Sequence, residues 1–349
     1  MQYDTIPGLE KKISKLIMGN DNQTDYDSAA ELWDHWISVG GNAFDNAFVY
    51  GDGSMEKLLG QWHTARNNRD DLIIIAKGAH TPNCDPDSLS EQLTISLDRL
   101  QIDQADIYIM HRDNIEVPVS EFMDALNKEK EKGRIKIFGG SNWSLQRFTE
   151  ANEWAKKNEK EEMAVLNNNL ALSKMINPLW QGCVSSNDAA ILEHLRTSQK
   201  AHLSWSSQGR GYFLPEKIRQ SIEDKITKDE SSFRQPGEHS SGPISCFDSP
   251  DNRIRRQRAE DLAKDLNVTA QNIATAWTLN QPFPSFSLIG PRKIRIGPRK
   301  IREIDTTLPC LNISLVYEKI KWLNSWFLNN FFLYICQFLV RTINYYDCV

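Results

Sequence analysis

The feature that most constrains this chain is an alternation: short, continuous apolar runs separated by longer stretches with helical periodicity, repeated about eight times. LIIIA, from Leu72, is short and β-branched, so it reads as a strand. SLSEQLTISLDRL places Leu89, Leu93, Leu97 and Leu100 at three- and four-residue spacing, the mark of a helix with one apolar stripe. The same pairing recurs. KLIM near Met18 is followed by a helix over 29–38, and NAFD at 42–45 by MEKLLGQWH. DIYIM precedes EFMDALNKEKEKG, a helix ended by Gly133. RIKIFGGSN precedes LQRFTEANEWAKK, and MAVLN precedes DAAILEHLRTSQ. AHLSW is a further strand and FSLI, from Phe286, the last. Between these two, 215–252 reads as a long polar loop. Helices follow it over 255–266 and 269–279, the second with an N-cap signal at Thr269. Continuous apolar strands separated by helices imply a parallel sheet covered on its outer face. Eight such units in roughly 300 residues predict an α/β chain of the (β/α)8 TIM barrel type, with parallel strands and outer helices. An open doubly wound sheet is the runner-up, weakened because no GxGxxG turn follows the first strand.

This pattern predicts one barrel over residues 1–325 and an atypical apolar extension over 326–349. The extension opens with WFLNNFFLYICQFLV, 15 residues interrupted by Asn329, Asn330 and Gln337. That is short of the ~20 apolar residues needed to span a bilayer, so no membrane anchor is expected. Just before it, IGPRKIR occurs at 289–295 and again at 296–302, a tandem duplication that is neither helical nor stranded by pattern.

Charge narrows the partners. The formal net charge is -5, and the only dense basic stretch is 292–302. Nucleic acid, which needs a concentrated basic face, is not expected. The start, MQYDTIPGLEKK, carries no apolar signal region, and the six cysteines form no CxxC pair. A cytoplasmic protein with free thiols is the expectation. His80 and Cys84 have no second pair nearby, so no metal is expected either.

Four polar residues lie at the C-terminal ends of consecutive strands, where the loops of such barrels build their sites. Asp45 ends the second strand with Tyr50 in its loop, Lys77 ends LIIIAK, and His111 ends DIYIMH. A Tyr hydroxyl titrates near ~10, too high for efficient proton donation at neutral pH. An ammonium from Lys77 is expected to lower that value, with Asp45 holding the lysine and His111 orienting a carbonyl oxygen. This is proton delivery beside a carbonyl, with hydride from a bound cofactor.

At these residues the chain resembles the aldo/keto reductase family, in its bacterial members particularly. GGNAFDNAFVYGDGSMEKLLG resembles that family's signature around its catalytic Asp and Tyr. IIIAKG resembles its Lys strand, LDRLQIDQADIYIMHR the segment leading to its His, and GRIKIFGGSN its nicotinamide-contacting strand. The resemblance spans residues 10–310 and implies that Tyr50 is the general acid, tuned by Lys77 and Asp45, with His111 orienting the substrate. It implies nicotinamide contacts from Ser141, Asn142 and either Asn167 or Asn168, with Trp205 stacked on the ring. It implies a pyrophosphate loop over 206–211, including Ser206, Ser207, Gly209 and Arg210. Gly290, Arg292 and Lys293 would hold the adenosine phosphate and favour NADP(H) over NAD(H). Phe44, Asn114 and Trp143 lie in loops expected to shape the pocket, and the loop over 215–252 is expected to close over the cofactor. The substrate implied is an aldehyde, ketone or sugar. The resemblance also admits a channel β-subunit-like module that binds the cofactor with little turnover. Asn46 stands where the signature usually has Thr, and Met55 where it has a small polar residue.

Overall fold

In the computed structural model, which describes residues 1–21, 23, 25–228, 242–290 and 299–325, eight parallel strands close on themselves. A short antiparallel hairpin comes first, β1 (Tyr3–Asp4) with β2 (Ile13–Ser14). The barrel follows as β3 (Leu16–Gly19), β4 (Ala43–Asp45), β5 (Ile73–Gly78), β6 (Ala105–Met110), β7 (Ile135–Ser141), β8 (Val165–Asn167), β9 (Ala201–Ser204) and β10 (Ser285–Ile289). Closure is made by β10 on β3, with Ser287 opposite Leu16 and Ile289 opposite Met18.

Each strand is apolar on both faces because each face has something to cover. Side chains alternate along a strand, so one set points into the barrel and the other out toward the helices. The inward set is Ile17, Ala43, Ile73, Ile75, Ile107, Ile109, Ile137, Val165 and Leu203, packed as one cluster. Ile6 and Ile13 from the hairpin segment join it and close the floor, which sequence periodicity did not foresee for so short a pair. The outward set, including Leu16, Phe44, Ile74, Tyr108 and Phe138, packs against the helices in a second cluster.

Hydroxyl or carboxylate caps start many of the outer helices. Asp25 caps Tyr26–Ser38, Asp85 caps Pro86–Leu100, Ser144 caps Leu145–Lys157 and Asp188 caps Ala189–Ser198, each accepting a backbone N–H of the first turn. Thr269 and Asn272 form a reciprocal capping box on Ala270–Leu279.

The stretch over 215–252 departs from the loop expected. It carries a helix at Glu216–Lys228 and a short one at Pro243–Phe247, and the next helix begins at Pro250, ahead of the expected 255. The helix at Glu216–Lys228 carries Ile218, Ile222 and Ile226 at four-residue spacing, a stripe that the polar reading of the segment passed over, and only Ile222 of the three is buried while Ile218 stays exposed. It is fixed by Ile222 and by Glu223, whose carboxylate accepts the N–H groups of Ile244 (2.8 Å) and Ser245 (3.2 Å). The duplicated heptapeptide also differs from its pattern. Ile289 ends β10, and the second copy runs into a helix at Arg299–Thr307. Residues 291–298, with Arg292 and Lys293, and the tail 326–349 lie outside the described residues.

Candidate active site

The same alternation that fills the barrel with isoleucine delivers polar groups to its C-terminal mouth. Asp45 is the next inward position after Ala43, Lys77 after Ile75, His111 after Ile109, Ser141 two steps after Ile137, Asn167 after Val165, and Trp205 after Leu203. Tyr50 is brought to them by the backbone. Beyond β4 the chain keeps following β5, with Asn46 N–H donating to Ile75 O (3.0 Å) and Phe48 N–H to Lys77 O (2.8 Å). A turn at Tyr50–Gly53 then sets the tyrosine against the lysine.

Lys77 Nζ is the centre of the arrangement. It donates to Asp45 Oδ2 at 2.7 Å and to Tyr50 Oη at 2.9 Å. The Lys77 and Asp45 side chains are each only 3% exposed, so neither charge is stable there without the other. Burial opposes the Lys77 ammonium, but the charges of Asp45 and Tyr50 outweigh it, and the group is held above the ordinary lysine range. Burial pushes the Asp45 carboxyl up, with Lys77 pulling the other way. Tyr50 is pushed up to about 12, because burial outweighs the lowering by Lys77. This reverses the direction expected from the residue types alone. Spacing identifies a cation beside a phenol, but not how much water the phenol has lost.

His111 completes the group. Its ring lies edge-on to Tyr50, with centroids 5.6 Å apart. Burial, and then the charge of Lys77, hold the imidazole well below its usual pKa, so it is neutral. The tips of β6, β7 and β8 are stitched together beside it. Ser141 Oγ donates to Asn167 O (2.7 Å), and Asn142 Nδ2 donates to Ser141 Oγ (3.1 Å) and His111 O (3.4 Å). Asn167 and Asn168 separate. Asn167 faces inward, gives its amide N–H to Leu203 O (2.6 Å), and leaves Oδ1 buried without a partner. Asn168 faces away, with both ends of its amide bonded to the Trp143 backbone at 3.2 and 2.9 Å.

Across the mouth, Trp205 stacks on Trp180, with centroids 5.6 Å apart and planes 22° off parallel. The Arg210 guanidinium lies 5.8 Å from the Trp180 ring centre. Burial lowers the Arg210 pKa, and its Nε has no partner. The backbone of this loop is left-handed at Ser206, Gly209, Arg210 and Gly211. Ser207 Oγ anchors it to Leu288 O at 3.2 Å, and Gly290 is exposed just past β10.

Against this site, the aldo/keto reductase family model matches residues 15–324. The chain belongs to the aldo/keto reductase family. An uncharacterised oxidoreductase of Bacillus subtilis, YrpG, is 22% identical over 94% of this chain and 96% of its own length. A probable voltage-gated potassium channel β subunit of rice is 33% identical, but over 43% of this chain and 49% of its own. The solved thermostable aldo-keto reductase Tm1743, in complex with the inhibitor epalrestat, has the same fold. Its TM-score is 0.67 at 21% identity, covering 93% of this chain and 99% of that one.

Within this aldo/keto reductase, three residues expected to shape the pocket are placed elsewhere. Phe44 points outward, fully buried against Trp33 and Trp62. Trp143 is buried beneath Phe122 and Arg147. Asn114 uses its amide to tie two loops together, donating to Cys84 O in the loop after β5 and accepting from Glu116 N–H in its own. Register decides Phe44, which lies between the inward positions Ala43 and Asp45, whereas Trp143 lies past the end of β7, where the left-handed Asn142 (φ +59) breaks the alternation. Conversely, Trp180, His80 and Arg112 stand at the mouth without having been singled out as site residues. They lie in or beside irregular loops, where no periodicity marks a direction.

Proposed function

We propose that this chain is an NADP(H)-dependent carbonyl reductase of the cytoplasm, converting an aldehyde, ketone or sugar carbonyl to an alcohol. The observation that carries the reading is the buried ammonium of Lys77, shared between Asp45 Oδ2 and Tyr50 Oη. That geometry suits proton donation from Tyr50, because a positive charge at 2.9 Å stabilises the tyrosinate left behind. Asp45 keeps Lys77 in place and charged. Neutral His111 donates a hydrogen bond to the substrate oxygen and turns it toward Tyr50 Oη.

The residues present fit a nicotinamide cofactor. Asn167 Oδ1 is a buried acceptor without a partner, suited to a carboxamide N–H. Trp205 offers a half-buried indole face, and Arg210 a buried guanidinium with an unpartnered Nε for phosphate. Ser141 and Asn142 hold the adjoining strand tips in register, and Arg292 and Lys293 would meet the adenosine phosphate. When bound, the reduced nicotinamide supplies the hydride that the carbonyl carbon accepts. The carbonyl oxygen takes the proton of Tyr50, giving the alcohol, and Tyr50 is reprotonated from water. The reverse oxidation runs through the same groups.

The test is a titration of the purified chain with NADPH and NADH, followed by fluorescence, and then a panel of simple aldehydes and sugars. Tighter binding of NADPH with turnover of at least one carbonyl is the expected result. Absence of binding would overturn the reading. Tight binding with no turnover would transfer it to a channel β-subunit-like module that binds the cofactor with little turnover.

A further inference from the structure

The His111 ring is held in an unusual way. Neither of its nitrogens has a hydrogen-bond partner among the described residues, and Nδ1 is fully buried. A buried imidazole is ordinarily fixed by a hydrogen bond from the nitrogen that does not face substrate. Here aromatic rings fix it from two sides. Tyr50 lies at 5.6 Å and 83°, and His80 lies closer, at 4.9 Å and 82°. Tyr50 is occupied with Lys77 and is the group that gives up a proton, which leaves His80 as the contact that can serve position alone.

The backbone is built to put His80 there. Ala79, between the end of β5 and His80, has φ +55, a left-handed conformation that a residue with a Cβ rarely adopts. It persists because its surroundings over-determine it. Ala79 N–H donates to Gln92 Oε1 (2.8 Å) and Arg112 N–H donates to Ala79 O (3.3 Å), while His111 N–H donates to Gly78 O (2.6 Å). The tips of β5 and β6 are thereby locked together, and the chain reverses so that His80 lies across His111. Strain of this kind collects at functional sites. His80 Nδ1 is in turn paired with Thr81 O at 2.8 Å, which fixes the second ring.

We propose that His80 is a positioning residue: its ring packs against His111 and holds that imidazole in the one orientation that meets a substrate oxygen. This rests on the reductase reading for the role of His111, but not for the packing itself. The contact needs a flat ring at position 80 rather than an imidazole as such. His80→Phe therefore preserves it and His80→Ala removes it.

The experiment compares the two variants with the unaltered chain in two readouts. The first is NMR of chains labelled at their seven histidines, following the His111 ring carbons without any substrate. A single His111 signal is expected in the unaltered chain and in His80→Phe, and a broadened or doubled one in His80→Ala. The second is turnover. His80→Ala should lose about 3- to 10-fold in kcat, the worth of one aromatic pair, with NADPH affinity unchanged and with recovery in His80→Phe. An unchanged His111 signal in His80→Ala overturns the proposal. So does a loss that His80→Phe fails to restore, which would assign the imidazole a polar role. If the unaltered chain reduces no carbonyl, the reductase reading fails by itself, and the NMR comparison still decides what His80 does.

Discussion

Tyr50, Lys77 and Asp45 form a unit whose parts constrain one another. A phenol pushed up to about 12 stays protonated across the working range, so it is always armed as a donor. A raised pKa extends the protonated form upward, so reduction should show no alkaline limb below pH ~10. His111 is held well below its ordinary value, so its neutral form persists as pH falls. A plot of kcat against pH should therefore lack the inflection near ~6.5 that a free imidazole would give. Lys77→Met removes the charge that stabilises the tyrosinate and strands Asp45 in a dry site. About 3–5 kcal/mol of stability should be lost with the activity, read as a lower denaturant midpoint. Asp45→Asn with Lys77→Met should recover most of that stability and none of the turnover. Asp45 and Lys77 were legible as polar residues at strand ends, and Tyr50 from its place in the loop after Asp45. The direction of the Tyr50 shift was not, because it depends on how closely the loop after β4 packs over the ring, and that is set by hydrogen bonds to β5.

At the level of elements, the opposite end of the barrel holds a second charged knot with no part in chemistry. Asp106, 1% exposed at the start of β6, accepts from Arg69 (2.9 Å), Lys136 (2.9 Å) and the Ile74 N–H (3.0 Å). Burial opposes its ionised form, but these partners win and hold the carboxyl below its usual pKa. A depressed pKa means stability that is present above the ordinary carboxylate value and lost as pH falls through the folded one. Asp106→Asn should cost about 1–3 kcal/mol at pH 7, and should flatten the loss of stability between pH ~5 and ~3, measured by urea unfolding. Strands such as β5 and helices such as Pro86–Leu100 were readable because periodicity and burial agree. Glu216–Lys228 was not, because its stripe of Ile218, Ile222 and Ile226 is thin among charged residues and only Ile222 of the three is buried. Register separates Phe44 from the mouth, because one step along a strand exchanges the mouth for the outer core.

For the whole molecule, the last described residues are integral to the barrel's outer layer. Arg258 donates to Trp322 O (2.5 Å) and Ser325 O (2.7 Å), Arg255 to Asn324 O (3.1 Å), and Leu323 is fully buried. A chain ending at Ser325 should keep its Tm, whereas one ending at Asn312 should lose several degrees or fail to fold, since it removes Ile320 and Leu323 from the core. Thermal unfolding of the two checks where the folded unit ends. Residue, element and molecule meet in a barrel whose apolar layers carry one buried ammonium to a tyrosine at the mouth. The measurement that tests this most directly is single-turnover reduction by Tyr50→Phe beside the unaltered chain, each saturated with NADPH. A fall of about 10²- to 10⁴-fold with NADPH affinity retained is what a general acid at Tyr50 predicts. A variant that reduces the same carbonyl at an undiminished rate would contradict it.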